Sequence, residues 1–149
     1  MPRPRLMPPM YLLISLAAML ALHFLLPIAL IVPSPFNLMG ILPLALGLWL
    51  NIRADGLFHQ ASTTVRPGEQ STALVTDGPF RYSRNPMYLG FGVILLGVAL
   101  LLGSLTPFIV IVVFVVLIER QFIGMEEGML RQAFGETWDA YARKTRRWI

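Results

Sequence analysis

From Met87 to Ile118 the chain carries no charged side chain. One bilayer crossing takes about 20 apolar residues, so this run is too long for an ordinary single span. GSLTP (Gly103 to Pro107) stands in its middle and has the composition of a turn. The expectation is two spans, about 86–103 and 105–122, each reaching into the polar residues beside it. Two further apolar blocks precede them. Met10 to Val32 is interrupted mainly by His23 and Pro27, and Phe36 to Ile52 is rich in Gly and Leu. VPSPFN (Val32 to Asn37) separates these blocks, with prolines suited to ending one helix and starting another. Spans at about 10–32 and 36–53 follow.

Composition agrees with a membrane chain. Only 13% of the 149 residues are charged, against about a quarter in an ordinary soluble domain. The expected fold is an all-α integral membrane protein with four transmembrane helices and no separate soluble domain. The basic start MPRPRLMPP leads into an apolar run that outlasts a signal-peptide core and lacks a convincing cleavage motif. It reads as a retained first span. There is no cysteine, which excludes disulfides, thiolate metal sites and cysteine nucleophiles.

The remaining chain is polar or amphipathic. Residues 53–85 form a long polar loop, the kind of segment that usually carries function. After Arg120, the residues Leu130, Ala133, Phe134, Trp138, Tyr141 and Ala142 recur at helical spacing between charges. That predicts a C-terminal amphipathic helix at about 125–145, lying on the membrane surface. With four spans, all twelve Lys and Arg fall on one side, and the turns VPSPFN and GSLTP carry none. The positive-inside rule makes that side cytoplasmic, with both termini on it, most simply at a bacterial inner membrane. The net charge of +4 is explained by this orientation, and no nucleic-acid partner is inferred from it. His23 and His59 lack metal-binding neighbours, and no metal site is expected.

Reactive groups gather at the same face. DGPFRYSRNPMYLG (Asp77 to Gly90) puts two arginines, two tyrosines and an asparagine at the mouth of a span. Pro86 suits a first helical position, and the free N–H groups of a helix start favour an anionic group. Glu126 and Glu127 open the C-terminal helix. Taken singly, each feature has a bland reading. Arg81 and Arg84 suit lipid phosphates, and Tyr82 and Tyr88 suit an aromatic belt. Glu119 reads equally as a bundle-facing group or one that snorkels with Arg120. Trp138, Tyr141 and Trp148 read as interface markers, and ARKTRRW (Ala142 to Trp148) as a basic membrane-binding end.

Taken together and in order, LVTDGPFRYSRNPMYLG (Leu74 to Gly90) and EEGMLRQAFGETWDAY (Glu126 to Tyr141) resemble the isoprenylcysteine carboxyl methyltransferase and phospholipid methyltransferase family of membrane enzymes. The similarity covers roughly residues 61–148. It implies a single membrane methyltransferase domain over residues 1–149. It also implies S-adenosylmethionine as methyl donor, leaving as S-adenosylhomocysteine, and a lipophilic small molecule or lipid as acceptor. Thr72, Ala73, Leu74, Val75, Phe80, Asn85, Pro86, Met87, Tyr88 and Glu126 are then expected to bind the donor. Arg84, Arg120 and Glu127 are expected to serve the chemistry. Asn85 replaces the family's usual histidine and cannot titrate. Phe122 stands where the family places an arginine, and Arg120 lies about 200° away from it around an ideal helix. Arg120 can substitute only if that helix is bent or the substrate approaches differently. Aromatic faces at Phe80, Tyr82 or Tyr88 would favour a sulfonium charge.

The chemistry asks for alignment and exclusion of water rather than a strong base. A carboxylate acceptor is nucleophilic near neutral pH, whereas an ethanolamine ammonium must first lose a proton. The preferred acceptor is therefore an isoprenylcysteine-type or other carboxylate. The alternatives are phosphatidylethanolamine N-methylation, a small thiol-like acceptor, and a non-catalytic membrane scaffold or lipid-binding bundle.

Overall fold

The computed structural model describes residues 6–64, 68–69 and 71–149. Arg3 and Arg5 of the basic start, Val65, Arg66 and Pro67 of the polar loop, and Gln70 lie outside the described residues. The elements are α1 (Pro8–Leu25), α2 (Ile41–Gln60), α3 (Pro86–Leu102), α4 (Thr106–Ile118) and α5 (Gly124–Lys144). A 3-10 turn, Phe36–Gly40, leads into α2, and another, Gly78–Arg81, precedes α3. A π-helical turn, Glu119–Ile123, joins α4 to α5. No β-strand occurs among the described residues, so the fold is all-helical.

Three helical stretches are long and apolar enough to cross a membrane: Pro8–Leu25, Phe36–Gln60 and Thr106–Lys144. The apolar α3 is shorter, with 17 residues. α1 stops at Leu25 rather than running to Val32. Pro27 has no N–H to continue the ladder, and the following backbone pairs elsewhere. The Ile31 and Val32 N–H groups donate to the Gly103 carbonyl at 2.8 and 3.0 Å, and the Leu105 N–H donates to the Ala29 carbonyl at 2.9 Å. His23 Nδ1 lies 2.8 Å from Ser104 Oγ, so this histidine ties α1 to the α3–α4 turn.

α2 overshoots the expected end near Arg53 and continues to Gln60. Apolarity ends at Arg53, but nothing there breaks a helix. Asp55 and His59 stand one turn apart, 3.4 Å between Oδ2 and Nε2, a spacing that supports helix. Likewise α4 and α5 are continuous through the π turn, since no proline interrupts them beyond Pro107.

α3 packs against α1, α2 and α4 and forms the centre. Its Leu95 and Ala99 are fully buried with Met19 of α1, Phe114 and Ile118 of α4, and Phe122 and Ile123 of the π turn. Against α2 the contact is backbone to backbone. A Cβ on Gly40 would sit 2.4 Å from the Gly97 carbonyl oxygen, and one on Gly47 would sit 2.6 Å from the Gly90 oxygen. Only glycine permits that approach. The pairing of Gly40 with Gly97 and of Gly47 with Gly90 makes the two helices antiparallel and fixes their register.

Candidate active site

The chain before α3 is pinned by the segment that follows α5. The Arg84 N–H donates to the Arg146 carbonyl at 2.9 Å. Ser83 Oγ and Asn85 Nδ2 both donate to the Arg147 carbonyl, at 3.3 and 3.1 Å. The Asn85 N–H donates to Ser83 Oγ at 3.1 Å. This web aims the first turn of α3, where Tyr88 is buried at 7% exposure. From the other motif, α5 brings Glu126 to it: the Tyr88 hydroxyl donates to Glu126 Oε1 at 2.6 Å. The Tyr88 ring also lies against Phe122, with centroids 6.1 Å apart.

Tyr88 and Glu126 form part of the wall of a cavity of about 800 Å³. Ala73, Leu74, Val75, Phe80, Arg84, Asn85, Pro86 and Met87 line it too. Phe80 is buried and meets Phe58 of α2 edge to face at 5.2 Å.

Four residues singled out in the sequence lie off this cavity. Thr72 is exposed and does not line the cavity. Its N–H donates to Thr63 Oγ1 at 3.0 Å and its hydroxyl to the Ser62 carbonyl at 3.2 Å, so it braces the loop. Arg120 is exposed and off the cavity; the π turn does not swing it inward. Glu127 does not line the cavity either. Consecutive helical residues point about 100° apart, so with Glu126 facing in, Glu127 faces Arg84 at 3.2 Å and Arg147 at 2.6 Å. Tyr82 is 78% exposed and also lies off this cavity.

Other residues reach the site without having been foreseen there. Trp138 is 4% exposed, lines the cavity and carries the Arg84 guanidinium 5.7 Å from its ring centroid. The Tyr141 hydroxyl donates to the Phe80 carbonyl at 2.6 Å. Both belong to the apolar series visible in the sequence, but that series faces the cavity rather than lipid alone. Gly135 makes this possible. Its φ of 51° and ψ of −122° break α5 and turn the following residues back toward Phe80 and Arg84. Asp55 and Phe58 line the cavity because α2 is longer than expected. Arg147 Nη1 is 2.8 Å from Glu119 Oε1. Its guanidinium is held above the ordinary arginine range, chiefly by its hydrogen bonds to Glu127 and then to Glu119. Glu119 therefore pairs with the chain end rather than with its neighbour Arg120.

Two motifs 38 positions apart thus meet at one cavity. The phospholipid methyltransferase family pattern matches residues 35–137. The chain belongs to that family. It is 35% identical over 71 residues to the protein-S-isoprenylcysteine O-methyltransferase of Schizosaccharomyces pombe. That stretch covers 48% of this chain and only 30% of the yeast protein. It is also 35% identical over 63 residues to an uncharacterized protein of Haemophilus influenzae, covering 42% of this chain and 100% of that one. No solved structure matches. Members of the phospholipid methyltransferase family are methyltransferases, and the apolar helices here suit a membrane-embedded one.

Proposed function

We propose that this protein transfers a methyl group from S-adenosylmethionine to a lipophilic acceptor at the cytoplasmic membrane interface. One observation carries the reading: the Tyr88–Glu126 hydrogen bond closes two motifs around a single cavity. The cavity suits the donor in size and chemistry. It offers a carboxylate for an ammonium or ribose hydroxyls, aromatic rings at Phe80 and Tyr88, and apolar walls at Ala73, Leu74 and Val75. When bound, S-adenosylmethionine supplies an electrophilic methyl group. Glu126 and the Asn85–Tyr88 turn would hold it, aromatic faces would favour its positive charge, and Trp138 with Tyr141 would exclude water from one side.

The acceptor proposed is a carboxylate of the isoprenylcysteine type. Among the described residues that line the cavity there is no histidine. His23 binds Ser104 at the far end of α3, and His59 is exposed beside Asp55. A carboxylate needs no base. Phosphatidylethanolamine is the second reading, favoured by the family to which the chain belongs, with Glu126 as the group that would take the ammonium proton.

Four crossings fit this reading. α3 runs antiparallel to α2 along the glycine pairs and so traverses the same thickness, despite its shorter length. Residues 1–149 then form one domain, with both termini and the loop after α2 in the cytoplasm. α5 lies at the membrane surface.

The deciding experiment is titration of the purified protein in lipid nanodiscs with S-adenosylmethionine and S-adenosylhomocysteine. Heat release and thermal stabilisation are expected; neither effect would favour a non-catalytic scaffold. Incubation with methyl-labelled donor and either an S-prenylated cysteine or phosphatidylethanolamine then separates the acceptors. Label in the cysteine carboxyl supports the first reading, and mono- or dimethylated headgroups support the second.

A further inference from the structure

The segment Thr145–Arg147 lies outside the matched family region of residues 35–137, yet it is woven into the site. Its basic neighbours Arg143, Lys144 and Arg146 are exposed, as expected of a membrane-binding end. Arg147 is turned the other way. Its Nε and Nη2 donate to Glu127 Oε1 and Oε2 at 3.2 and 2.6 Å, and its Nη1 donates to Glu119 Oε1 at 2.8 Å. Paired charge-assisted bonds of this kind are stronger and more directional than neutral ones.

The two carboxylates bracket the π turn. Glu119 is its first residue, and Glu127 lies one helical turn beyond its last, Ile123. A π turn holds one more residue than an α turn and is rare, persisting where something compensates for it. If Glu119–Ile123 relaxed to α geometry, every side chain after it would rotate by about 100° around the helix axis. Glu126 would then leave Tyr88 and the cavity. Phe122 and Ile123, both fully buried, hold the turn from the core side. On the outer side the groups that span it are Glu119, Arg147 and Glu127. The same residue reaches the other motif through its backbone, since its carbonyl accepts the Asn85 side-chain amide and the Ser83 hydroxyl.

We propose that Arg147 is a positioning residue that staples the π turn, and that this staple sets the direction in which Glu126 faces the donor cavity. The proposal rests on the donor reading above. Arg147 itself does not line the cavity, so it acts through Glu127, Glu119 and Asn85.

The test uses the full chain in nanodiscs, as wild type, Arg147→Ala, Arg147→Lys and Glu119→Gln. Hydrogen exchange is followed by mass spectrometry over residues 118–128, and donor affinity by calorimetry. In Arg147→Ala, amides of Phe122 to Glu126 are expected to exchange at least about tenfold faster, with α3 and the rest of α4 unchanged. Affinity for S-adenosylmethionine is expected to fall at least about tenfold. Arg147→Lys has one ammonium and cannot fork across both carboxylates, so it should fall between the two. Glu119→Gln should reproduce the faster exchange in part.

Unchanged exchange in Arg147→Ala overturns the proposal, as does acceleration spread evenly over α3 and α4. Faster exchange with undiminished donor affinity also overturns it, because the turn would then not govern the site. If the wild type binds no donor while the alanine variant still loosens residues 122–126, the donor reading falls and the staple stands. If both proteins bind equally and exchange alike, the staple falls and the donor reading stands.

Discussion

The Tyr88 hydroxyl and the Glu126 carboxylate are 2.6 Å apart on the wall of one cavity, Tyr88 buried and Glu126 half-buried. Neither side chain has another hydrogen-bond partner among those described for the site. Removing Glu126 leaves the buried Tyr88 hydroxyl without its partner, and removing the hydroxyl frees the half-buried carboxylate to turn away from the donor. Tyr88→Phe and Glu126→Ala are each expected to weaken S-adenosylmethionine binding by roughly 1.5–3 kcal/mol, on the order of 10- to 100-fold. The double variant should lose less than the sum, because both changes delete one shared interaction. Calorimetry in nanodiscs measures all four affinities. Melting curves of the single variants should stay close to wild type, since Leu95, Phe114 and Ile118 of the core are untouched. Strict additivity would mean that the pair does not act as a unit.

A second prediction concerns the α2–α3 seam. In Gly47→Ala the new methyl would lie 2.6 Å from the Gly90 carbonyl oxygen and 2.7 Å from Ile94 Cγ1. Backbone cannot yield as a side-chain tip does, so the helices must separate. The expected loss is about 1–3 kcal/mol, typical of overpacking, read as a lower melting temperature in detergent. Gly92→Ala is the control. Its Cβ meets nothing within 4 Å, and by helix propensity it should be neutral or stabilising by up to about 1 kcal/mol. Equal melting of the two variants would refute the close-packed seam.

Much of this architecture was legible because the bilayer imposes a simple grammar. Uncharged runs and turn residues located α3 and α4 to within a few positions, and the ordered polar motifs pointed to the cavity wall. What escaped has identifiable causes. Hydropathy marks where a helix leaves lipid, not where it ends, so it does not reveal the last two turns of α2 or the Asp55 and Phe58 they bring to the cavity. The period of Trp138 and Tyr141 was correct, but period alone does not say whether an apolar face meets lipid or a cavity. Arg147 was hidden in a basic run whose ordinary meaning is membrane attachment. Its pairing with Glu119 and Glu127 depends on a π turn, and no residue pattern in ERQFI announces one. The family resemblance carries Thr72 and Arg120 over by their position in the chain, and position does not give side-chain direction: both lie off the cavity.

Membrane topology gives a third prediction, and the absence of native cysteine makes it clean to test. Ser34 and Leu105 are both exposed at the end of the bundle where the Leu105 N–H meets the Ala29 carbonyl. Gln60, also exposed, closes the opposite end of α2. In intact cells an impermeant maleimide should label Ser34→Cys and Leu105→Cys, and should label Gln60→Cys only after permeabilisation. Labelling of Leu105→Cys together with Gln60→Cys would mean that α3 does not cross, and the four-span reading would fail.

The last prediction separates backbone strain from crowding at the bend of α5. Gly135 adopts φ 51° and ψ −122°, yet a Cβ built on it meets nothing within 4 Å. Space would admit alanine; conformation would not, because L side chains rarely take that backbone. Asparagine tolerates the left-handed helical region, but this ψ lies outside it, so asparagine should not rescue. Gly135→Ala and Gly135→Asn are both expected to cost on the order of 1–3 kcal/mol. The chain can avoid that cost by straightening α5, which would withdraw Trp138 from Arg84 and Tyr141 from Phe80. Loss of donor affinity should therefore accompany a gain in Trp138 exposure, read as faster quenching by acrylamide against a background in which Trp49 and Trp148 are replaced by Phe. Full affinity and an unchanged Trp138 signal in Gly135→Ala would show that the bend does not build the site.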